Sequence, residues 1–115
     1  MTNIGLAFSV APSTSSGLPV YMDGEVELKS ECGVILFQDA PESSTKYVEI
    51  LPTSSLFLTN YRVVLCWLND NKWTAFSCHL NAIRGINNCN SFFSSSSRLQ
   101  VHFIDEGVPP IYLKF

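Results

Sequence analysis

Nucleophilic catalysis needs a nucleophile, a base and an orienting group brought together. His79 and His102 are the only histidines that could serve as such a base. His79 follows Cys78, but neighbours along a strand point to opposite faces, so the pair does not form a dyad from one strand. His102 sits on the polar phase of the alternating run Arg98-Leu99-Gln100-Val101-His102-Phe103 and reads as a solvated strand residue. Serines abound, yet no G-x-S-x-G elbow presents one. Glu25, Glu27 and Glu31 cluster ahead of an apolar run and read as a solvated charged face. No spacing singles out two carboxylates for acid–base work. Asn69-Asp70-Asn71 lacks the spaced oxygens and bidentate glutamate of a calcium loop. No glycine-rich phosphate loop occurs. Cys32, Cys66, Cys78 and Cys89 include no C-x-x-C pair, which fits neither a zinc knuckle nor a thioredoxin-like site. They read as reduced, buried thiols acting as small hydrophobes, which points to the cytosol. No enzyme activity, metal or cofactor is expected.

The 115 residues make one domain. A hydrophobic share of 46% against a charged share of 15% is the composition of a packed core, not of a disordered chain. The net charge of −3 argues against general nucleic-acid binding and against polybasic attraction to membranes. Any membrane ligand must therefore be held by a small local cluster. The apolar stretch Ile4 to Ala11 has no basic residues before it and falls far short of the ~20 residues of a spanning helix.

Ala11-Pro12-Ser13-Thr14-Ser15-Ser16-Gly17 reads as a polar linker. Residues 1–17 are thus expected to be an extension and linker, and residues 18–115 the folded domain. Strands are predicted at Gly33–Phe37, Lys46–Leu51, Ser55–Leu58, Tyr61–Trp67, Lys72–His79, Arg98–Phe103 and Ile111–Phe115. No segment holds a 3.6-residue apolar period; Leu80 to Asn90 comes nearest, and Gly85 and Asn87-Asn88 interrupt it. Phe92 to Ser97 is a serine-rich loop led by two aromatics. Seven short strands imply an antiparallel sandwich or barrel whose open end and edges need a cover. By the period-two rule the interior takes Val34, Leu36, Leu56, Leu58, Leu99, Val101 and Phe103.

Two segments carry a family resemblance. Glu31-Cys32-Gly33-Val34-Ile35-Leu36-Phe37-Gln38-Asp39, followed by Ser55-Leu56-Phe57-Leu58-Thr59-Asn60-Tyr61-Arg62-Val63-Val64, resembles the "G-V-x-L-Y-D-G … G-x-L-x-L-T-x-x-R-L-I" pattern of GLUE domains. Phe92-Phe93-Ser94-Ser95-Ser96-Ser97-Arg98-Leu99-Gln100-Val101-His102-Phe103 resembles their "G-F-x-x-S-P-[KR]-[IL]-x-[LV]-x-[FL]" motif. The GLUE domain is the GRAM-like, split pleckstrin-homology module of the vacuolar protein-sorting-associated protein 36 family. The resemblance covers roughly residues 25 to 115. Ser91 replaces a usual glycine, Ser97 a frequent proline, and Ala40 the glycine after the aspartate. The family's long helix after strand seven is missing, and so are the C-x-x-C pairs of its zinc-bearing members.

The resemblance implies a mostly β, pleckstrin-homology-like, seven-stranded antiparallel barrel. It implies a non-catalytic adaptor of the endosomal ESCRT-II complex, sorting ubiquitinated cargo to multivesicular bodies. The partners it implies are a 3-phosphorylated phosphoinositide headgroup, ubiquitin, and subunits of ESCRT-II and ESCRT-I. The location it implies is the cytoplasm with recruitment to the endosomal membrane. Arg98 matches the basic residue of the second motif. Beside Ser96 and Ser97 it offers the donors a phosphate needs, with Phe92 and Phe93 placed to enter the bilayer interface. Arg62 matches the first motif and is expected to be structural. The alternative is a GRAM or pleckstrin-homology-like protein-interaction module without lipid binding.

Overall fold

The computed structural model describes residues 8–40, 43–49, 53–88 and 98–115, with side chains at 8–37, 53–87 and 99–115. Nine strands occur among them: β1 Ser9–Ala11, β2 Glu27–Ala40, β3 Ser43–Glu49, β4 Ser54–Thr59, β5 Arg62–Asn69, β6 Lys72–His79, β7 Ile83–Asn88, β8 Arg98–Phe103 and β9 Ile111–Lys114. One 3-10 turn, Leu80–Ala82, leads from β6 into β7. All pairs are antiparallel, in the order β1-β6-β5-β4-β2-β9-β8-β7, with β3 attached to the far end of β2. The pleckstrin-homology-like all-β architecture expected from the sequence is present. The sheet ends on β1 and β7, however, and no ladder joins β6 to β7 among the described residues. It wraps a core without closing into a barrel.

The long strand β2 organises this wrap. Its first part pairs with β4 from Glu27↔Thr59 to Val34↔Ser54, and its continuation pairs with β9 at Ile35↔Lys114 through Phe37↔Tyr112. The register shifts between Glu31 and Val34. Gly33 stands there at φ +70°, a conformation that L side chains rarely adopt, and nothing would crowd a Cβ. The glycine is thus required by the backbone of a bulge, not by space. The bulge changes the side-chain phase. Lys29 and Glu31 face the interior side before it, while Val34 and Leu36 are buried after it.

One core joins both halves of the sheet. It includes Val34, Leu36, Leu56, Leu65, Trp67, Val101, Phe103, Ile111 and Leu113. Five of the expected interior residues are in it; Leu58 and Leu99 are only half-buried, because they face an opening described below. A second cluster, Ala11, Phe57, Val64, Cys66 and Ala75, lies on the other face of β4–β6. Strand β5 is therefore buried on both faces, as its unbroken apolar sequence requires. The β5–β6 hairpin turns through Asp70 (φ 50°) and Asn71 (φ 63°) between the paired Asn69 and Lys72. Two left-handed central residues make a type I′ turn, which matches strand twist and which Asp and Asn tolerate.

The chain before β2 corrects the expectation of a polar linker. Strand β1 pairs Ser9–Ala11 with Ser77–Ala75. A turn follows, closed by Thr14 N–H on the Leu18 carbonyl at 2.8 Å. Gly17, at φ +85°, lies under the Trp73 ring, where a Cβ would meet ring carbons at 2.6–2.7 Å. Serine, threonine and glycine here build a folded turn against the sheet. Strands β1 and β7 were not anticipated. The first is three residues long, and the second was hidden by Gly85, which sits at a register shift opposite His102.

Candidate functional site

Three features of the surface and core bear on function. The first is an ion pair that fastens the segment before β2 to the sheet. Thr59 ends β4 and Arg62 begins β5, so both side chains project onto the face that this segment crosses. Arg62 Nε donates to Glu25 Oε2 at 2.8 Å and Nη2 donates to Oε1 at 3.0 Å and to the Val20 carbonyl at 2.9 Å. Glu25 also accepts from Thr59 Oγ1 at 2.7 Å and from Met22 N–H at 2.9 Å. Glu25, Thr59 and Arg62 are buried. Glu25 is therefore a buried, fully partnered carboxylate, not part of the solvated face expected for it. Arg62 is structural, as its strand position suggested.

The guanidinium hydrogen bond, aided by Thr59 and Met22, holds the Glu25 carboxyl down at about 2, against a usual value of 4.5, although burial opposes this. A group depressed in the folded state contributes stability above its unfolded value, and that contribution is lost as pH falls through the folded one. Urea unfolding should therefore show stability falling between pH 4.5 and about 2. Glu25→Gln should flatten that part of the profile. An unchanged slope in the variant would place the acid sensitivity elsewhere.

The second feature is the β8–β9 ladder. Arg98 opens β8 and stands opposite Lys114; one step along the polar phase, Gln100 stands opposite Tyr112. Gln100 Nε2 donates to the Tyr112 hydroxyl at 2.9 Å. Leu99, Val101, Ile111 and Leu113 occupy the alternate, inward phase. Phe92, Phe93, Ser96 and Ser97 lie outside the described residues, and of Arg98 only the backbone is described. Lys114 was missed from sequence. It lies on the polar phase of β9, and only the β8–β9 register sets it opposite Arg98.

The third feature is an apolar groove of about 430 Å³ between the halves of the sheet. Leu56, Leu58, Val63 and Leu65 form one wall, and Ile83, Ile86, Leu99, Val101, Ile111 and Leu113 the other. Lys29 and Glu31 supply its polar groups, and Phe8 enters at one side. Its volume is that of a small-molecule or side-chain site.

Among the described residues, the thiols and histidines are not gathered at one place. The Cys78 thiol donates to the His79 backbone carbonyl at 3.6 Å. Burial pushes Cys66 and Cys78 up to about 11, so neither is a ready thiolate. Cys32, on the outer side of the β2 bulge, is free and exposed, contrary to the expectation of burial. Among the described residues no three His, Cys, Asp or Glu groups gather as for a metal. No described helix is long and apolar enough to cross a membrane.

No protein-family model matches the sequence, and no curated protein matches it significantly. Among solved structures the chain is similar to one described as "Vps36 N-terminal PH domain". The TM-score is 0.76, over 96% of this chain and 81% of the other, at 22% sequence identity. At that identity the likeness carries the pleckstrin-homology-like fold alone.

Proposed function

We propose that this domain is a non-catalytic adaptor of the endosomal-sorting type that docks on a phosphoinositide headgroup. The observation that carries the proposal is the placement of Arg98 directly opposite Lys114. Like charges directly opposite in an antiparallel ladder are destabilising, and a bound phosphate turns that repulsion into attraction. In a chain of net charge −3, such a pair is the kind of local cluster that an anionic lipid requires. Ser96 and Ser97 would add hydroxyl or amide donors beside Arg98, and Phe92 and Phe93 would enter the bilayer interface. The likeness to a Vps36 N-terminal domain supports a setting in ESCRT-II, with ubiquitin and ESCRT-I as protein partners, at the cytoplasmic face of endosomes.

Liposome sedimentation with phosphatidylinositol 3-phosphate tests this. Arg98→Ala and Lys114→Ala should each lose one charge-assisted contact, about 1.5–3 kcal/mol, or roughly ten- to a hundred-fold in affinity. Binding should weaken strongly with salt. If wild type sediments no better with the lipid than with phosphatidylcholine alone, the lipid assignment fails.

A second reading, a protein-interaction module without lipid binding, is favoured by one observation. Leu18, Val20, Tyr21, Met22, Val26 and Leu28 are all exposed within the stretch that the Glu25–Arg62 pair pins to the sheet. Exposed apolar surface held in a fixed shape is what a protein partner uses. Titration of labelled domain with ubiquitin should then shift amides in residues 18–28 while the lipid has no effect.

A further inference from the structure

The segment that the Glu25–Arg62 pair pins to the sheet wears its apolar side outward. Gly17 and Pro19 are buried, whereas Leu18 and Val20 are exposed. The same parity continues through Met22, Val26 and Leu28, all exposed, and breaks at Gly24, which stands at φ +80°. Stability alone would turn these large side chains inward, against Phe57, Val64 and Cys66 on the face that the segment crosses. At one end the Trp73 ring lies against Gly17, and Trp73 pairs with Leu68 across the β5–β6 ladder; both are exposed. At the other end the Val20 carbonyl and the Glu25 carboxylate are held by Arg62, the first residue of β5. The exposed apolar side chains thus form a strip that reaches from one end of β5 to the other.

The strip is held in shape without a partner. Asn60 Oδ1 accepts from Val26 N–H at 2.7 Å, and its Nδ2 donates to the Gly24 carbonyl at 3.1 Å. The Tyr21 hydroxyl donates to Glu27 Oε1 at 2.7 Å. A surface already fixed in shape loses little freedom on binding. Charge decides what it fits. Between residues 18 and 28 every charged residue is an acid: Asp23, Glu25 and Glu27. Arg62 neutralises Glu25, which leaves Asp23 and Glu27 exposed beside the apolar side chains. Lys29 lines the groove instead, and at the Trp73 end the exposed Lys72 is offset by Asp70. Such a border repels an anionic membrane, and a second copy would bring the same acids.

We infer that this strip docks a protein or peptide whose apolar surface is bordered by lysine and arginine. Leu18, Met22 and Val26 supply the burial, and Asp23 and Glu27 supply the steering and the register. The inference rests on the protein-interaction reading above but not on its exclusion of lipid. The joint core separates the strip from the outward phase of β8 and β9, where Arg98 and Lys114 stand. A domain docked on phosphate through those bases keeps the strip uncovered, so the two contacts are compatible.

Three synthetic peptides of equal length, titrated into the isotope-labelled full chain, test it: one of leucine and lysine, one of leucine and glutamate, one of serine and lysine. The leucine–lysine peptide should shift the amides of residues 18–28, Leu68 and Trp73, and should bind about tenfold or more tightly than the other two. Met22→Ser and Asp23→Lys should each weaken it several-fold. Ile104→Ser, which removes a similarly exposed apolar side chain off the strip, should leave its affinity unchanged. Equal binding of the leucine–glutamate peptide, or an unchanged affinity in Asp23→Lys, would overturn the inference and leave the protein-interaction reading standing; binding of none would overturn both. Shifts at Leu99 and Ile86 in place of the strip would seat the peptide in the groove and overturn it. Strip shifts caused by phosphatidylserine vesicles, or by rising protein concentration alone, would make the strip a membrane surface or a dimer interface and overturn it as well.

Discussion

Arg62→Ala is expected to lower the thermal midpoint of the domain by on the order of 15 °C, at roughly 3–5 kcal/mol lost and about 4 °C per kcal/mol for a chain of this size. The loss follows from what remains behind. The alanine leaves the buried Glu25 carboxylate with Thr59 and Met22 but no opposite charge, and frees the Val20 carbonyl. Removing one member of a buried pair is costly even where the intact pair contributes little beyond an apolar substitute, because an uncompensated charge stays in a low-dielectric site. The double variant Glu25→Leu/Arg62→Met should therefore be less damaged than the two single changes added together, by about 2 kcal/mol. It should not match wild type, since Val20 and Met22 still lose their partners. Circular dichroism melts of the four proteins give the coupling directly, and additive losses would remove the ion pair from this role. Lipid sedimentation of folded Arg62→Ala should match wild type, which separates this arginine from Arg98.

The strands were legible where apolar and polar residues alternate or where an apolar run is bounded by turn residues. Lys72–His79 and Arg98–Phe103 have the predicted limits, and the Asn69-Asp70-Asn71 turn lies where its composition placed it. Legibility failed where a residue acts through tertiary context. Glu25 looks like any solvated acid, because nothing local shows that Arg62 arrives from 37 positions away. The Ser-Thr-Ser-Ser-Gly turn looks like a linker, because its docking depends on the Trp73 ring against Gly17. Strand β7 was obscured by a glycine that serves a register shift. The first half of β2 was missed because its phase reverses at the Gly33 bulge, so no single alternation runs through residues 27–37. The proposed lipid site was legible in sequence only as a motif around Arg98. Its second base, Lys114, emerges from pairing, which a one-dimensional reading does not supply.

The expected cost of truncation also differs sharply between core positions that look alike in sequence. Leu36 and Leu58 were both assigned to the interior by the same period-two rule. Leu36 is 1% exposed and packs in the joint core, opposite Leu113 in the β2–β9 ladder. Leu58 is half-buried on the wall of the groove. Leu36→Ala should leave a closed cavity between two halves of a sheet that are tied together by β2, so neither half can move in to fill it. The loss should fall at about 3–5 kcal/mol, transfer and cavity terms together. With a urea dependence of about 1.5 kcal/mol per molar, that lowers the midpoint by roughly 2–3 M. Leu58→Ala only widens a space that already exists, so it loses the transfer term of a partly buried side chain, about 1–1.5 kcal/mol. Equal losses at the two positions would mean that the groove is packed as tightly as the core.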